Sequence, residues 1–386
     1  MSLTREEQPS GRELLKLFET FLDTNPNIDE IGIIHPSQFA TLGKGEDDNK
    51  YFWVGENKLA ISAHIVQQLY NAAKEAFFTV KNDVNVSEEI MLRHSKAVLL
   101  VNANLASCWN ARKLIVSKKQ EMSAVTDELI LSAIVLSYSP KSDQTWAHRR
   151  WVLKTIAGKC DKFQDIIGQE SDLVEKVVER SKMNYYAWNH RCWLVSYMTR
   201  EKVLFELKKS RSWSSLHVSD NSCFHYRHKL LRYVFEKCCF EFGENSSGSL
   251  VEARQIFLEE LDWNEGLIKR YVGREALWIH RRSLSQFWRR FSDVFLKSDI
   301  DSFLDNELCL VNSCLTINDN EFGDFEKQAT LSATYFVWLL KNNMKPSFNK
   351  IRQKLRVENL KNLLDQTLSE RSSLWRTIPA FVDLTY

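Results

Sequence analysis

The chain has 386 residues, enough for a large core and for two or three domains. It carries only 12 glycines and 6 prolines, a scarcity of turn residues that argues against a β-sandwich, a β-barrel, a collagen-like chain or wholesale disorder. Its 52 Lys and Arg against 50 Asp and Glu give a formal net charge of +2, without the basic excess of a nucleic-acid binder. In chain order, residues 1–85 stand apart. Ile31-Gly-Ile-Ile34 and Tyr51-Phe-Trp-Val54 predict short strands or extended pieces, Thr41 to Lys50 a polar loop, and Ala60 to Phe78 a helix. Residues 86–295 are dominated by helical periodicity. Residues 296–386 predict a helical capping region, with helices over Gln328 to Lys341 and Lys350 to Leu368.

One phrase recurs through the central region. It reads Trp109-Asn-Ala-Arg112, Trp146-Ala-His-Arg149, Trp188-Asn-His-Arg191, Phe224-His-Tyr-Arg227 and Trp278-Ile-His-Arg281, with spacings of 37, 42, 36 and 54 residues. Four residues before the aromatic, the middle three copies place Ser142, Asn184 and Asp220, whose short side chains can accept a free first-turn amide and so open a helix. Apolar residues follow at helical spacing: Val152 and Leu153, Leu194 and Val195, then Leu230, Leu231 and Val234. Apolar stretches also precede the phrase, with Leu129, Ile130, Ala133 and Ile134 before the second copy and Val174, Val177 and Val178 before the third. Each copy is therefore the second helix of a hairpin. One hairpin cannot cover its own apolar face, so neighbours must stack. The expected fold is all-α, a right-handed superhelix of hairpins forming a curved solenoid, with a short β-containing N-terminal segment. The aromatics fill the layers between hairpins, and each arginine bonds backbone carbonyls or the neighbouring caps. Gly243 to Ser249 predicts a flexible insertion within the longest spacing.

Eight scattered cysteines without a C-x-x-C pair suggest reduced thiols, and no opening apolar stretch suggests a signal peptide, so a soluble cytoplasmic protein is expected. The most apolar run, Leu129 to Leu136, is far shorter than a membrane span. His148, His190 and His280 recur at one position of the phrase, but on successive hairpins they do not converge as metal ligands must. No nucleophile elbow, phosphate-binding glycine loop or H-E-x-x-H is present.

The phrase Ser139-Pro140-Lys141-Ser142-Asp143-Gln-Thr-Trp146-Ala-His-Arg149-Arg150 resembles the repeat of protein prenyltransferase α subunits. So do Met183-Asn184-Tyr185-Tyr186-Ala-Trp188-Asn-His-Arg191 and Asp220-Asn221-Ser222-Cys-Phe224, and the resemblance covers about half of the chain. It implies an α subunit of a heterodimeric protein prenyltransferase, geranylgeranyl-transferring and of the type III kind. The implied partner is a β subunit, with that of the Rab geranylgeranyltransferase as the first candidate. Zinc is expected in that partner and no cofactor in this chain. The implied substrates are a prenyl diphosphate and a protein with a C-terminal cysteine; neither nucleic acid nor a membrane span is expected. By the same resemblance Lys141 maps to the family's lysine beside the leaving diphosphate. Asn184, Tyr185 and Tyr186 fall on the substrate side. Apart from the resemblance, His225, Tyr226 and His228 form a polar aromatic cluster that suits either helix packing or contact with a partner or substrate, and His225 and Tyr226 are taken as substrate-binding candidates. Two positions depart from the family: Asp143 stands in place of a tyrosine and Met183 in place of a lysine. Those departures motivate an alternative, a non-catalytic scaffold that keeps the fold and binds a β subunit or another protein. A tetratricopeptide-type reading is weaker, because that repeat keeps a regular length and a different signature.

Overall fold

The structure, a computed structural model, describes residues 9–39, 41–42, 50–83, 87–119, 121–240, 247–291, 297–315 and 324–342. Ser10 and Glu13 start helix α1 (Gly11–Thr24) with a reciprocal capping box, each side chain accepting the other residue's amide. Leu14, Phe18, Phe21 and Leu22 then recur at helical spacing and are buried. A three-stranded sheet follows: β1 (Glu30–Ile34), β2 (Phe52–Gly55) and β3 (Lys58–Ser62), with the short helix α2 (Pro36–Phe39) after β1. The order is β1-β3-β2, with β1 parallel and β2 antiparallel to β3. Glu56 and Asn57 join β2 to β3 with φ of 52° and 62°, the doubly left-handed backbone that suits a tight hairpin. The two expected extended pieces are therefore strands. The helix expected over Ala60 to Phe78 is corrected at its start. Lys58–Ser62 is strand β3, because Leu59 to Ser62 are buried in succession against both neighbours, and α3 (Val66–Lys81) begins only after a 3-10 turn.

From here the chain is helical hairpins. They are α4 (Glu88–Val101) with α5 (Ala106–Lys119), α6 (Met122–Tyr138) with α7 (Asp143–Ile156), and α8 (Phe163–Arg180) with α9 (Tyr185–Leu194). Then come α10 (Arg200–Leu216) with α11 (Asn221–Phe240), α12 (Ser247–Arg270) with α13 (Glu275–Arg290), and α14 (Lys297–Cys314) with α15 (Asp324–Lys341). The expected all-α class with a short β-containing N-terminal segment is the one observed. Of the flexible insertion expected over 243–249, Ser247 to Ser249 belong instead to α12; residues 241–246 lie outside the described residues. The C-terminal helix expected over Gln328 to Lys341 is α15, whereas that over Lys350 to Leu368 lies outside the described residues.

The chain divides into two compact units, Met1–Leu194 and Val195–Tyr386, and the division falls within the stretch of repeats. In the first unit one apolar cluster joins α1, the sheet, α3 and the first hairpins, through residues such as Phe18, Phe52, Phe77, Val98, Trp109 and Val135. The Ile31 amide donates to Ser137 Oγ at 2.9 Å, and Arg180 pairs with Glu30 at 2.8 Å, so β1 is tied to the second and third hairpins. In the second unit Phe235, Phe257, Phe287 and Phe291 pack edge-on and stacked among α11, α12 and α13.

Candidate functional site

The five repeated arginines are all buried; three of them make the same set of bonds, and a fourth shares its carbonyl and glutamate partners. Arg149 donates from Nη1 to the Leu129 carbonyl (2.6 Å) and Ser132 Oγ (2.8 Å) on the first helix of its own hairpin. Its Nε and Nη2 grip Glu170 on the next hairpin at 2.7 and 2.5 Å. Arg112 repeats this with Leu92, Ser95 and Glu128. Arg227 does so with Leu207, Ser210 and Glu260, and Arg281 with Leu261 and Glu307. Arg191 bonds Ser171 Oγ at 2.9 Å and lies 3.7 Å from Glu175. Arginine's planar fork suits this bidentate role, and its remaining nitrogen reaches the carbonyl.

Each glutamate is also met from its own hairpin. His148 bonds Glu128 at 2.8 Å, His190 bonds Glu170 at 3.1 Å, and His280 bonds Glu260 at 3.0 Å. In the fourth hairpin Tyr226 takes the histidine's place, its hydroxyl donating to Glu206 at 2.8 Å; in the sixth, Tyr335 donates to Glu307 at 2.6 Å. The recurrent histidines are thus a structural row, each also against an aromatic: His148 on Trp109, His190 on Trp146, His280 on Phe224. Burial pushes their pKa values down, against the pull of the glutamate each one bonds. Burial alone would raise the carboxyls of Glu128 and Glu170, but the facing histidine and arginine overcome it and hold each at about 2. The glutamate is the residue the sequence reading missed. Its signal is there: Glu128, Glu170, Glu206 and Glu260 each precede the arginine of their own hairpin by 21 residues. The expected arginine bonds to carbonyls are present, whereas the expected bonds to the neighbouring caps are replaced by these glutamates and by serines.

The caps instead lock the loops to one another. Ser142 Oγ accepts from the Thr145 amide (3.3 Å) and donates to Asn104 Oδ1 (2.8 Å), joining the first two inter-helix loops. The Pro140 carbonyl accepts from Trp146 Nε1 (3.0 Å) and from Asn184 Nδ2 (2.7 Å), joining the second loop to the third. Asn184 Oδ1 accepts from the Ala187 amide at 3.1 Å and caps α9. Asn184 is thus fully buried as a brace between hairpins.

That brace presents the other residues on one edge. Lys141 is exposed between Pro140 and Ser142, beside the start of α7. Tyr185 and Tyr186 open α9 on the loop bonded to Pro140, 66% and 37% exposed, with ring centroids 6.0 Å apart. Met183, 73% exposed, has a left-handed φ of 53°, and Gly273 at the same position of the fifth hairpin has a φ of 73°. Asp143 is exposed, 3.9 Å from Arg150. Elsewhere, in the second unit, His225 is exposed on α11 and Tyr226 is buried on Glu206, so the structure sends one of these neighbours to solvent and the other inward. Among the described residues no group of three or more His, Cys, Asp and Glu side chains is placed to hold a metal ion, and no helix is long and apolar enough to cross a membrane.

Comparison with known proteins agrees with this geometry. The family described as the protein prenyltransferase alpha subunit repeat matches residues 167–198, which hold Glu170, Trp188, His190 and Arg191. The chain is 28% identical over 338 residues to protein prenyltransferase alpha subunit repeat-containing protein 1 of Danio rerio, covering 75% of this chain and 77% of that protein. It is 29% identical over 304 residues to the Homo sapiens protein of that name, covering 67% and 73%. It is also 24% identical over 224 residues to the geranylgeranyl transferase type-2 subunit alpha of Rattus norvegicus, covering 56% of this chain and 37% of that protein. The chain therefore matches the protein prenyltransferase α-subunit repeat over residues 167–198 and is similar along most of its length to proteins named for that repeat.

Proposed function

We propose that this chain is the α subunit of a heterodimeric protein prenyltransferase that moves a geranylgeranyl group from its diphosphate to a C-terminal cysteine of a protein. The observation that supports the reading is the braced edge at Pro140. It holds Lys141 and the Tyr185–Tyr186 pair on adjacent loops, tied to each other by the bond from Asn184 Nδ2 to the Pro140 carbonyl. Similarity to a protein named as the α subunit of a geranylgeranyl transferase points the same way.

In this reading the substrate thiolate attacks carbon 1 of the prenyl diphosphate; the sulfur–carbon bond forms as the carbon–oxygen bond to diphosphate breaks. Zinc, carried by the partner subunit, supplies the lowered thiol pKa. The Lys141 ammonium meets the negative charge that grows on the departing oxygens, an effect useful only because the loop beneath it is held in place. Tyr185 and Tyr186 offer two hydroxyls and two ring faces to the same substrate. The partner is a β subunit, that of the Rab geranylgeranyltransferase first, and the complex works in the cytoplasm.

Co-expression with candidate β subunits, followed by a transfer assay on a protein ending in a cysteine motif, tests the proposal. Lys141→Ala should slow transfer by about 10²-fold, the usual cost of losing one charge-stabilising donor, with heterodimer yield unchanged. Unchanged turnover removes Lys141 from the mechanism, and failure to form a complex with any β subunit ends the reading. The second reading, a scaffold without activity, is favoured by Met183, which is exposed at the position of a family lysine. A stable β complex that transfers no prenyl group to any acceptor would select it.

A further inference from the structure

The second helices of the first three hairpins carry a row of cations and indoles that the proposed reaction does not use. Lys113 on α5 lies with Nζ 5.9 Å from the ring centroid of Trp151 on α7, and Lys154 on α7 lies 5.9 Å from that of Trp193 on α9. The residues share one register: Lys113 and Arg150 stand four places after the repeat aromatic, and Trp151 and Trp193 five places after it. Arg150 and Lys154 are one turn apart on α7, on the same face. The row therefore runs Lys113, Trp151, Lys154, Trp193 across three packed helices, with Arg150 beside it.

This face lacks its counter-charge. Among the described residues neither Lys113 nor Lys154 has a carboxylate within ion-pair distance, and Arg150 has only Asp143, at 3.9 Å. Lys113 is partly buried, and burial lowers the pKa of its ammonium. Three cations held next to half-buried indoles with so little acid beside them form a surface complementary to carboxylates flanked by apolar groups. Each indole also meets a histidine of its own helix, Trp151 with His148 and Trp193 with His190, which leaves little open ring face for a stacked base. A nucleic acid needs such open platforms and a longer cationic track.

We infer that the α5–α7–α9 face is a docking surface for an acidic segment of a protein partner, its carboxylates on Lys113, Arg150 and Lys154 and its apolar side chains against the edges of Trp151 and Trp193. Successive helices lie about 8–10 Å apart, a step that about three residues of extended chain span at ~3.3 Å each. Two or three acidic residues interleaved with apolar ones can therefore reach from Lys113 to Lys154. The assignment is independent of the role given to Lys141.

The test uses the full chain and fluorescence anisotropy at low salt with three labelled probes: a peptide of alternating glutamate and leucine, the same peptide with glutamine for glutamate, and an oligouridylate. The glutamate peptide should bind, the other two should bind at least ~10-fold more weakly, and Lys113→Gln with Lys154→Gln should weaken the glutamate peptide ~10-fold or more. Lys118→Gln, on the same helix but paired with Glu88, should leave binding unchanged. Equal binding of the glutamate and glutamine peptides overturns the inference, as does undiminished binding to a Lys113→Gln/Lys154→Gln chain whose circular dichroism and melting match the parent. Tighter binding of oligouridylate than of the glutamate peptide overturns it in favour of a nucleic-acid surface.

Discussion

Removing the carboxylate of Glu170 should unfold the first unit at markedly lower temperature. Glu170 is buried, as are the three nitrogens that hold it: Arg149 Nε and Nη2 and His190 Nε2. In Glu170→Ala the guanidinium stays inside with two donors unmatched, and breaking one side of a buried ion pair costs about 3–5 kcal/mol. The electrostatics point in the same direction: the facing arginine and histidine hold the Glu170 carboxyl well below its ordinary range in spite of its burial. For a unit of this size each kcal/mol moves the midpoint by about 2–4 °C, so a fall of about 10 °C is expected for the transition of the first unit. Arg149→Met combined with Glu170→Leu should recover part of the loss, because apolar replacement of both partners is often nearly neutral. Recovery stays incomplete, since His190 loses its acceptor and Arg149's bonds to Leu129 and Ser132 go as well. Calorimetry of the full chain reads both variants and the single variants Arg149→Met and Glu170→Leu. A loss under about 1 kcal/mol in Glu170→Ala, or a double variant as unstable as the sum of the singles, would refute the view that this pair braces one hairpin to the next.

Acid should weaken the protein in two steps. The folded-state pKa values of His148, His190 and His280 are lowered from 6.5, so below that pH the unfolded chain takes up protons that the folded chain refuses and stability falls. Glu128 and Glu170 are lowered from 4.5 to about 2, so their contribution is present above 4.5 and is lost as pH falls toward 2. Urea midpoints should be level near neutrality and drop below about pH 6.5, and a midpoint that rises on acidification from neutrality contradicts this. Met183→Gly should raise the melting temperature of the first unit, since Met183 sits at φ 53° where the fifth hairpin uses Gly273; relief of about 1 kcal/mol is expected, and a lower midpoint would show that the side chain holds more than its backbone loses. Tyr226→Phe should cost about 1–3 kcal/mol in the second unit by stripping a donor from buried Glu206, and an unchanged urea midpoint would count against that bond.

The repeat, its helical hairpins and its caps were legible in the sequence because they are local. A capping side chain reaches an amide two or three residues away, and an apolar stripe needs only the helix's own period. Ser142, Asn184 and Asp220 accordingly cap from the positions where their spacing places them. The sheet was legible in part, since β1 and β2 look extended on their own. Strand β3 reads as the start of a helix, because a fully buried strand has no alternation, and only pairing with both neighbours decides it. Helix α1 carries a capping box that the sequence reading passed over.

What the tertiary structure decided is the partner of each arginine and the side on which each site residue lies. The forks of Arg112, Arg149, Arg227 and Arg281 reach across to glutamates of the following hairpin, and a spacing of 21 residues means nothing until hairpins stack. Neighbours in sequence also part company in space. Asn184 is drawn inward by the Pro140 carbonyl while Tyr185 beside it is exposed, and Tyr226 turns onto Glu206 while His225 faces solvent. A helix sends successive residues about 100° apart, so a motif names which residues stand together along the chain, and only packing assigns them to the interior or to a ligand.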